Sequence, residues 1–297
     1  SNGKAQLIAK DFKGNMYPSY SGKYLLLYDE VKKQYRVYNS ATQQTNIVAK
    51  DITYPLYDEE NDVPDDANAY GIAKWMEGDN YVLIYDRYDV WKVDPTGKEK
   101  SIPITFDGRK NKITYRYLNT NEEEKFISQT KSLYFSGFNN ETKTKYIYIL
   151  VPEENNVFYS KTLIVQKNGL VNFIAKSKNL ETILYTSETY RQSPDLHFLD
   201  LTKTNEQKQL TNINQQQKNY NWGTAELFKW KAYNGKQATG ILYKPENFDP
   251  TKKYPMMTYF YEKNSDNVHT HYAPRPIRSY INFSYFTSNG YLVFVPD

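Results

Sequence analysis

The chain contains no cysteine. Disulfides, thiolate zinc sites and cysteine nucleophiles are therefore excluded, although the compartment stays open. Histidine is almost as scarce: His197, His269 and His271 are the only three. No apolar run approaches the roughly 18 residues that a membrane helix needs. The first residues, Ser1, Asn2 and Gly3, lack the charged start and apolar stretch of a signal peptide. A strong charge of either sign is also missing. The 38 Lys and Arg against 34 Asp and Glu leave a net charge of +4, and the basic residues are scattered. Pairs such as Lys252 and Lys253 do not make the clustered stripe that nucleic-acid binding requires.

Aromatic residues are abundant instead. There are 30 Tyr, 14 Phe and 4 Trp, in a chain whose mean hydropathy is −0.80. Aromatic side chains suit pleated, half-buried surfaces, so the composition leans toward β structure. At roughly 150 residues per domain, 297 residues make one large domain or two smaller ones.

The first two-thirds read as short strands separated by turn signals. Residues 24–28, 35–38 and 45–48 form one group, opened by the turn at Ser21, Gly22 and Lys23. The pattern then returns in residues 71–75, 81–85, 89–93 and 101–105, with turns at 77–80 and 95–97. A third unit runs through 132–135, 146–151 and 162–165, and a fourth through 172–175, 182–185, 196–199 and 209–210. Repeats of about 40–50 residues with four strands each are the signature of propeller blades. About four blades are present, and most propellers have more, so further blades are expected on the N-terminal side. A β-sandwich is the structural alternative. The acidic stretch 58–66 reads as a loop between strands, and the polar, low-complexity stretch 212–221 reads as a linker.

After residue 221 the pattern changes. Residues 226–231 and 239–243, joined through Asn234 and Gly235, form a hairpin. Residues 256–261 (Met-Met-Thr-Tyr-Phe-Tyr) read as a strand buried on both faces. Residues 277–289 can hold a helix, stopped by Gly290, and 291–295 form another buried strand. A hairpin followed by strand, helix and strand is how an α/β sheet begins. The expected domains are thus a propeller portion with its terminal linker, 1–221, and the first part of an α/β domain, 222–297.

Several motifs in the last stretch occur in a family order. They are Glu-Leu-Phe-Lys-Trp at 226–230, Tyr-Asn-Gly at 233–235, Gly-Ile-Leu-Tyr-Lys-Pro at 240–245, Lys-Lys-Tyr-Pro at 252–255 with its strand to Tyr261, and 288–297. This stretch resembles the opening of the α/β-hydrolase domain in the prolyl oligopeptidase family of serine peptidases, which includes the dipeptidyl peptidases. The stretch 75–95 looks like a blade of the Bacteroidetes members. The resemblance implies a peptidase that cleaves short peptides by acyl transfer, without metal or organic cofactor, in the periplasm or outside the cell. The propeller would restrict entry and place the peptide. The family's triad serine stands on a Gly-x-Ser-x-Gly elbow, and no such pentapeptide occurs here. By family order the elbow, the Asp and the His all lie downstream of the last strand present. The chain is therefore expected to be an inactive fragment, with none of its three histidines as the triad base.

The resemblance carries one catalytic role onto this sequence: Tyr261, in the position of the family's oxyanion-hole tyrosine. A fixed phenol donor stabilises charge that appears only in the tetrahedral transition state. Where relatives follow this tyrosine with a Gly-rich turn, Glu262, Lys263, Asn264 and Ser265 stand here. His269 and His271 lie two apart in a polar loop without carboxylates at ligand spacing, so no metal is expected there. The pair Glu59 and Glu60 invites comparison with the glutamates that hold the peptide amino terminus in dipeptidyl peptidases, but it is read as a solvated acidic run. The alternative function is a propeller that binds a glycan or a protein partner, with a degenerate hydrolase tail.

Overall fold

The computed structural model describes residues 5–153, 159–203, 206–275 and 281–297. It is built almost entirely from β-strands. The first sheet holds β1 (Gly14–Pro18), β2 (Tyr24–Asp29), β3 (Gln34–Asn39) and β4 (Thr45–Ile47). The second holds β5 (Ile72–Trp75), β6 (Val82–Tyr85), β7 (Val90–Val93) and β8 (Ile102–Pro103). After the one-turn helix α1 (Gly108–Asn111) come β9 (Ile113–Tyr117), β10 (Leu133–Asn139), β11 (Lys145–Pro152) and β12 (Tyr159–Val165). The fourth sheet holds β13 (Leu170–Lys176), β14 (Thr182–Thr189), β15 (Gln192–Asp200) and β16 (Glu206–Gln209). Each of these four sheets keeps its strands in chain order, which is the meander of a propeller blade. The expected neighbours in the second unit are paired, with Val82 opposite Val93 and Tyr85 opposite Val90.

The chain divides into two compact units. One comprises residues 1–137 and 148–162, the other 138–147 and 163–297. The division passes across the third sheet.

In the first unit, β2 and β3 present Leu26, Tyr28, Tyr35 and Val37 to Trp75, Val82, Ile84 and Val93 of the second sheet. Alternation places these residues on one face of each strand, and each buried apolar side chain contributes about 1.5–3 kcal/mol. Tyr24 stacks on Trp75 at 6.0 Å. The turn between β6 and β7 is organised by Asp86, which is fully buried. Its carboxylate accepts hydrogen bonds from the backbone N–H groups of Tyr88 (2.6 Å) and Asp89 (2.8 Å) and from Trp91 Nε1 (2.9 Å). Asp89 in turn accepts from the N–H groups of Gly108 and Arg109, fixing the start of α1.

In the second unit, the fifth sheet holds β17 (Thr224–Lys231), β18 (Gln237–Lys244), β19 (Met256–Thr258) and β20 (Leu292–Pro296), with α2 (Phe283–Ser288) between the last two. Its order is β17-β18-β20-β19, and β19 runs parallel to β20. Tyr243 and Phe283 stack at 4.4 Å, above Ile241, Val293 and Val295 in one core. Gly223, at φ 85°, leads into β17 where a Cβ would stand 2.1 Å from the carbonyl oxygen of Lys244, a position open to glycine alone.

Four details differ from the sequence reading. Strands β1 and β9 complete the first and third sheets outside the expected strands; β1 has no apolar alternation, whereas in β9 Ile113, Tyr115 and Tyr117 alternate with Thr114 and Arg116. The expected strand 256–261 is regular only over Met256–Thr258. Within these 297 residues it is the outer strand of its sheet, and Met256 is 53% exposed. The expected helix at 277–289 is α2 in its described part. Asn282 caps it by accepting from the N–H of Tyr285 (3.0 Å), and Gly290 at φ 80° ends it. Residues 277–280 of that expectation lie outside the described residues. No helix among the described residues is long and apolar enough to cross a membrane.

Candidate functional site

Ligand sites in open α/β sheets lie beyond the carboxyl ends of parallel strands. In the fifth sheet that edge is where β19 and β20 finish, and the chain places Tyr261 and Asp297 there. Pairing continues past Thr258, as the N–H of Tyr259 donates to the carbonyl of Phe294 at 3.0 Å. Tyr261 follows two residues later with its side chain 70% exposed. The loop after it is tied on both sides. Asn264 Nδ2 donates to the Tyr261 carbonyl at 2.7 Å. Asp297 Oδ1 accepts from the N–H groups of Asn264 and Ser265, both at 2.7 Å. Lys143 Nζ lies 2.6 Å from Asp266 Oδ1.

Glu262 has φ 55°. This is the left-handed conformation that glycine takes most readily. Glu262, which has a side chain, takes this conformation with some strain. The arrangement can hold a phenol over the end of the parallel pair. No other titratable side chain stands beside Tyr261 in a hydrogen bond among the described residues.

The structure does not bring the histidines to that site. His197 lies in β15, 7% exposed, and stacks on Tyr185 at 5.2 Å. His269 Nε2 is 2.8 Å from the carbonyl oxygen of Thr142. His271 stacks on Trp222 at 4.9 Å with the rings 2° from parallel. Its backbone N–H donates to Glu188 Oε2 at 3.0 Å, and its Nδ1 lies 3.2 Å from the carbonyl oxygen of Tyr190. Because a carbonyl can only accept, Nδ1 carries the proton and Nε2 is the bare nitrogen. Nε2 of both His197 and His271 is buried without a partner. No group of three or more metal-ligating side chains forms among the described residues.

Burial pushes the pKa of His197 and His271 below the ordinary value of 6.5. Lys167 adds to the lowering at His197, while the Tyr190 carbonyl and Glu188 oppose it at His271. A depressed histidine stabilises the fold in its neutral form. That contribution is complete above about 6.5 and is lost as the pH falls from there through the folded-state value. We therefore expect the second unit to melt at progressively lower temperature between about pH 7 and pH 5. The double variant His197→Gln and His271→Gln should have a flatter profile across that interval. Equal slopes for variant and parent in calorimetric melts would remove the histidines as the cause.

Glu59 and Glu60 are not a free acidic run. Arg109 donates to both oxygens of Glu59 (3.3 and 3.1 Å), and Arg87 Nη2 lies 2.6 Å from Glu60 Oε1. The Arg109 guanidinium also sits over the ring of Tyr54 at 4.4 Å and 3.9 Å from Asp86. Sequence reasoning missed this cluster, whose members run from Tyr54 to Arg109. It also missed Asp297 as the anchor of the Tyr261 loop, and the packing of His271 on Trp222.

No protein-family model matches the chain, and no curated protein matches it. Solved structures do. It superposes on dipeptidyl peptidase 4 of Porphyromonas gingivalis with a TM-score of 0.62 at 12% identity, covering 97% of this chain and 39% of that one. A second match is a Bacteroides ovatus ATCC 8483 protein whose assignment as a dipeptidyl aminopeptidase IV is provisional. There the TM-score is 0.58 at 15% identity, over 96% of this chain and 41% of that one. The chain thus spans about two-fifths of the length of the structures it matches. Nearly its whole length, blade-like sheets and mixed sheet together, is similar in fold to the corresponding parts of these dipeptidyl peptidase structures.

Proposed function

We propose that the chain is part of a serine peptidase of the prolyl oligopeptidase type, acting on short peptides in the periplasm or outside the cell. Residues 1–221 are its propeller portion and residues 222–297 the first part of its α/β-hydrolase domain. The observation that carries this reading is the fold match over 97% of the chain, in which four meander sheets precede a sheet with a parallel pair. The propeller would limit entry to short peptides and hold them against the catalytic face. Catalysis would be acyl transfer through a serine, needing no metal or organic cofactor.

Tyr261 is assigned the oxyanion-hole role. Its place just past the carboxyl end of β19 supports this. The loop held by Asn264 and Asp297 fixes the backbone from which the phenol projects. Such a donor acts only when an acyl carbon is attacked. An activated serine needs a positioned base, and the chain has neither a Gly-x-Ser-x-Gly elbow nor a histidine beside an available serine at this site. By itself the chain is therefore inactive.

The alternative reading is a propeller that binds a glycan or protein and carries a degenerate hydrolase tail. Fluorophosphonate labelling separates the possibilities. The 297-residue chain should not be labelled and should not turn over chromogenic dipeptide substrates. A longer form of the protein should be labelled once, at a serine in a Gly-x-Ser-x-Gly sequence. Stoichiometric labelling of the 297-residue chain, lost on mutation of the labelled serine, would refute its inactivity. No labelling of the longer form would sink the peptidase reading.

A further inference from the structure

We infer that the turn between β10 and β11 positions Tyr261, with Lys143 as a positioning residue that acts through the loop following the phenol. The inference rests on the oxyanion role proposed for Tyr261. Turn and loop belong to the same compact unit, which comprises residues 138–147 and 163–297.

The turn is organised by its own residues. Asn139 Oδ1 accepts from the backbone N–H groups of Glu141 (2.9 Å) and Thr142 (3.0 Å). The N–H of Lys143 donates to the Asn139 carbonyl at 2.8 Å, and that of Asn139 to the Thr144 carbonyl at 2.9 Å. Lys143 stands at φ 63°, in the left-handed region that Gly, Asn or Asp enters more readily. The turn itself therefore gives no reason for a lysine. The reason lies in what the side chain reaches.

The Lys143 side chain is 7% exposed, and its Nζ lies 2.6 Å from Asp266 Oδ1. A buried ammonium is costly unless it is paired, so Asp266 is drawn to the place where the turn presents its partner. The neighbouring carbonyl, that of Thr142, accepts from His269 Nε2 at 2.8 Å. Because a carbonyl can only accept, Nε2 of His269 carries the proton. Adjacent residues of the turn thus give the loop one donor and one acceptor, to partners three residues apart. Two such contacts fix orientation as well as distance.

The fifth sheet holds the same loop from its other side. Asp297 Oδ1 accepts from the N–H groups of Asn264 and Ser265, the two residues that precede Asp266. Val268, 3% exposed, is buried in the core of that sheet. Asn264 carries the restraint back to Tyr261, whose carbonyl accepts from its Nδ2 at 2.7 Å. An oxyanion donor works only within hydrogen-bond reach of the charge that develops, and a misplacement of about 1 Å can cost about 10²-fold in rate. The backbone that sets the phenol is thus gripped between the sheet and the turn.

Two measurements test the inference. In the 297-residue chain, Lys143→Met should raise amide hydrogen exchange at residues 262–269 by about tenfold or more. Methionine fills a similar volume and leaves Asp266, 43% exposed, to solvent, so the fold is retained. Asp266→Asn reaches the pair from its exposed side and should raise exchange in the same residues. Lys176→Met, which removes the ion pair with Glu181 at 3.2 Å in the same unit, should leave them unchanged. In a longer form that carries the nucleophile, Lys143→Met should lower kcat by about tenfold with little change in KM. In the Tyr261→Phe background it should lower kcat no further, because Lys143 acts only through the phenol. Unchanged exchange at 262–269 overturns the inference, and so does an equal fall in kcat with and without the phenol, which would make the ion pair a plain stability contact. A Tyr261→Phe enzyme with full kcat, chemistry being rate-limiting, sinks the oxyanion role itself and the inference with it.

Discussion

Replacing Asp86 by alanine is expected to lower the stability of the first unit by about 3–5 kcal/mol, the usual cost of breaking a buried charge network by removing one partner. Asp86 is fully buried between β6 and β7. Its carboxylate satisfies the N–H groups of Tyr88 and Asp89 and the indole of Trp91. Truncation strands all three donors away from water, each at about 1–3 kcal/mol. It also removes the nearest full charge facing the Arg109 guanidinium on its Asp86 side. Urea unfolding followed by tryptophan fluorescence should show a lower midpoint with an unchanged slope. Asp62→Ala, in the exposed loop, should stay within about 0.5 kcal/mol of the parent. A loss below about 1 kcal/mol at Asp86 would show that water reaches these donors.

In a longer form of the protein that carries the nucleophile, Tyr261→Phe should lower kcat by roughly 10²–10³, the usual cost of losing one oxyanion donor. KM should change little, because the hydrogen bond strengthens as negative charge develops on the carbonyl oxygen. The substitution removes one oxygen and leaves the ring. Since the loop is held by Asn264 and Asp297 through backbone groups, the melting temperature should hardly move. An unchanged kcat, with chemistry shown to be rate-limiting, would reduce Tyr261 to a surface residue. A fall in kcat accompanied by a fall in melting temperature would point to loop damage instead. Asp297→Asn distinguishes further: it keeps an acceptor for the N–H groups of Asn264 and Ser265 and should retain most activity.

The strands that were legible are those with strong local signals. Tyr24–Asp29 is aliphatic or aromatic up to its last residue and Val82–Tyr85 is so throughout, and turn residues bracket them. The hairpin at Asn234 and Gly235 is set by two adjacent residues, with Gly235 at φ 81°. By contrast Gly14–Pro18 has no alternation to read, and Ile113–Tyr117 is partly polar. Both become strands because a neighbour offers a ladder: Gly14 lies opposite Asp29. At the candidate site, Tyr261 could be found only through the family-like order of motifs around it. The relation of its loop to Asp297, 33 residues beyond Asn264, leaves no trace in local sequence.

By itself the sequence determined the β-rich character, the recurrence of four-stranded units, the hairpin and the change of pattern after residue 221. These follow from backbone sterics, period-two alternation and turn chemistry, all of which act within a few residues. It also determined that thiol chemistry is absent. Only the tertiary structure decided that β20 lies between β18 and β19, with β19 parallel to it. It likewise decided that Glu59 and Glu60, exposed as they are, pair with Arg109 and Arg87, and that His271 is spent on Trp222. Alternation fixes which face a side chain takes but not which strand or charge will stand opposite it. That choice depends on contacts tens of residues apart, which form only when the chain has closed on itself.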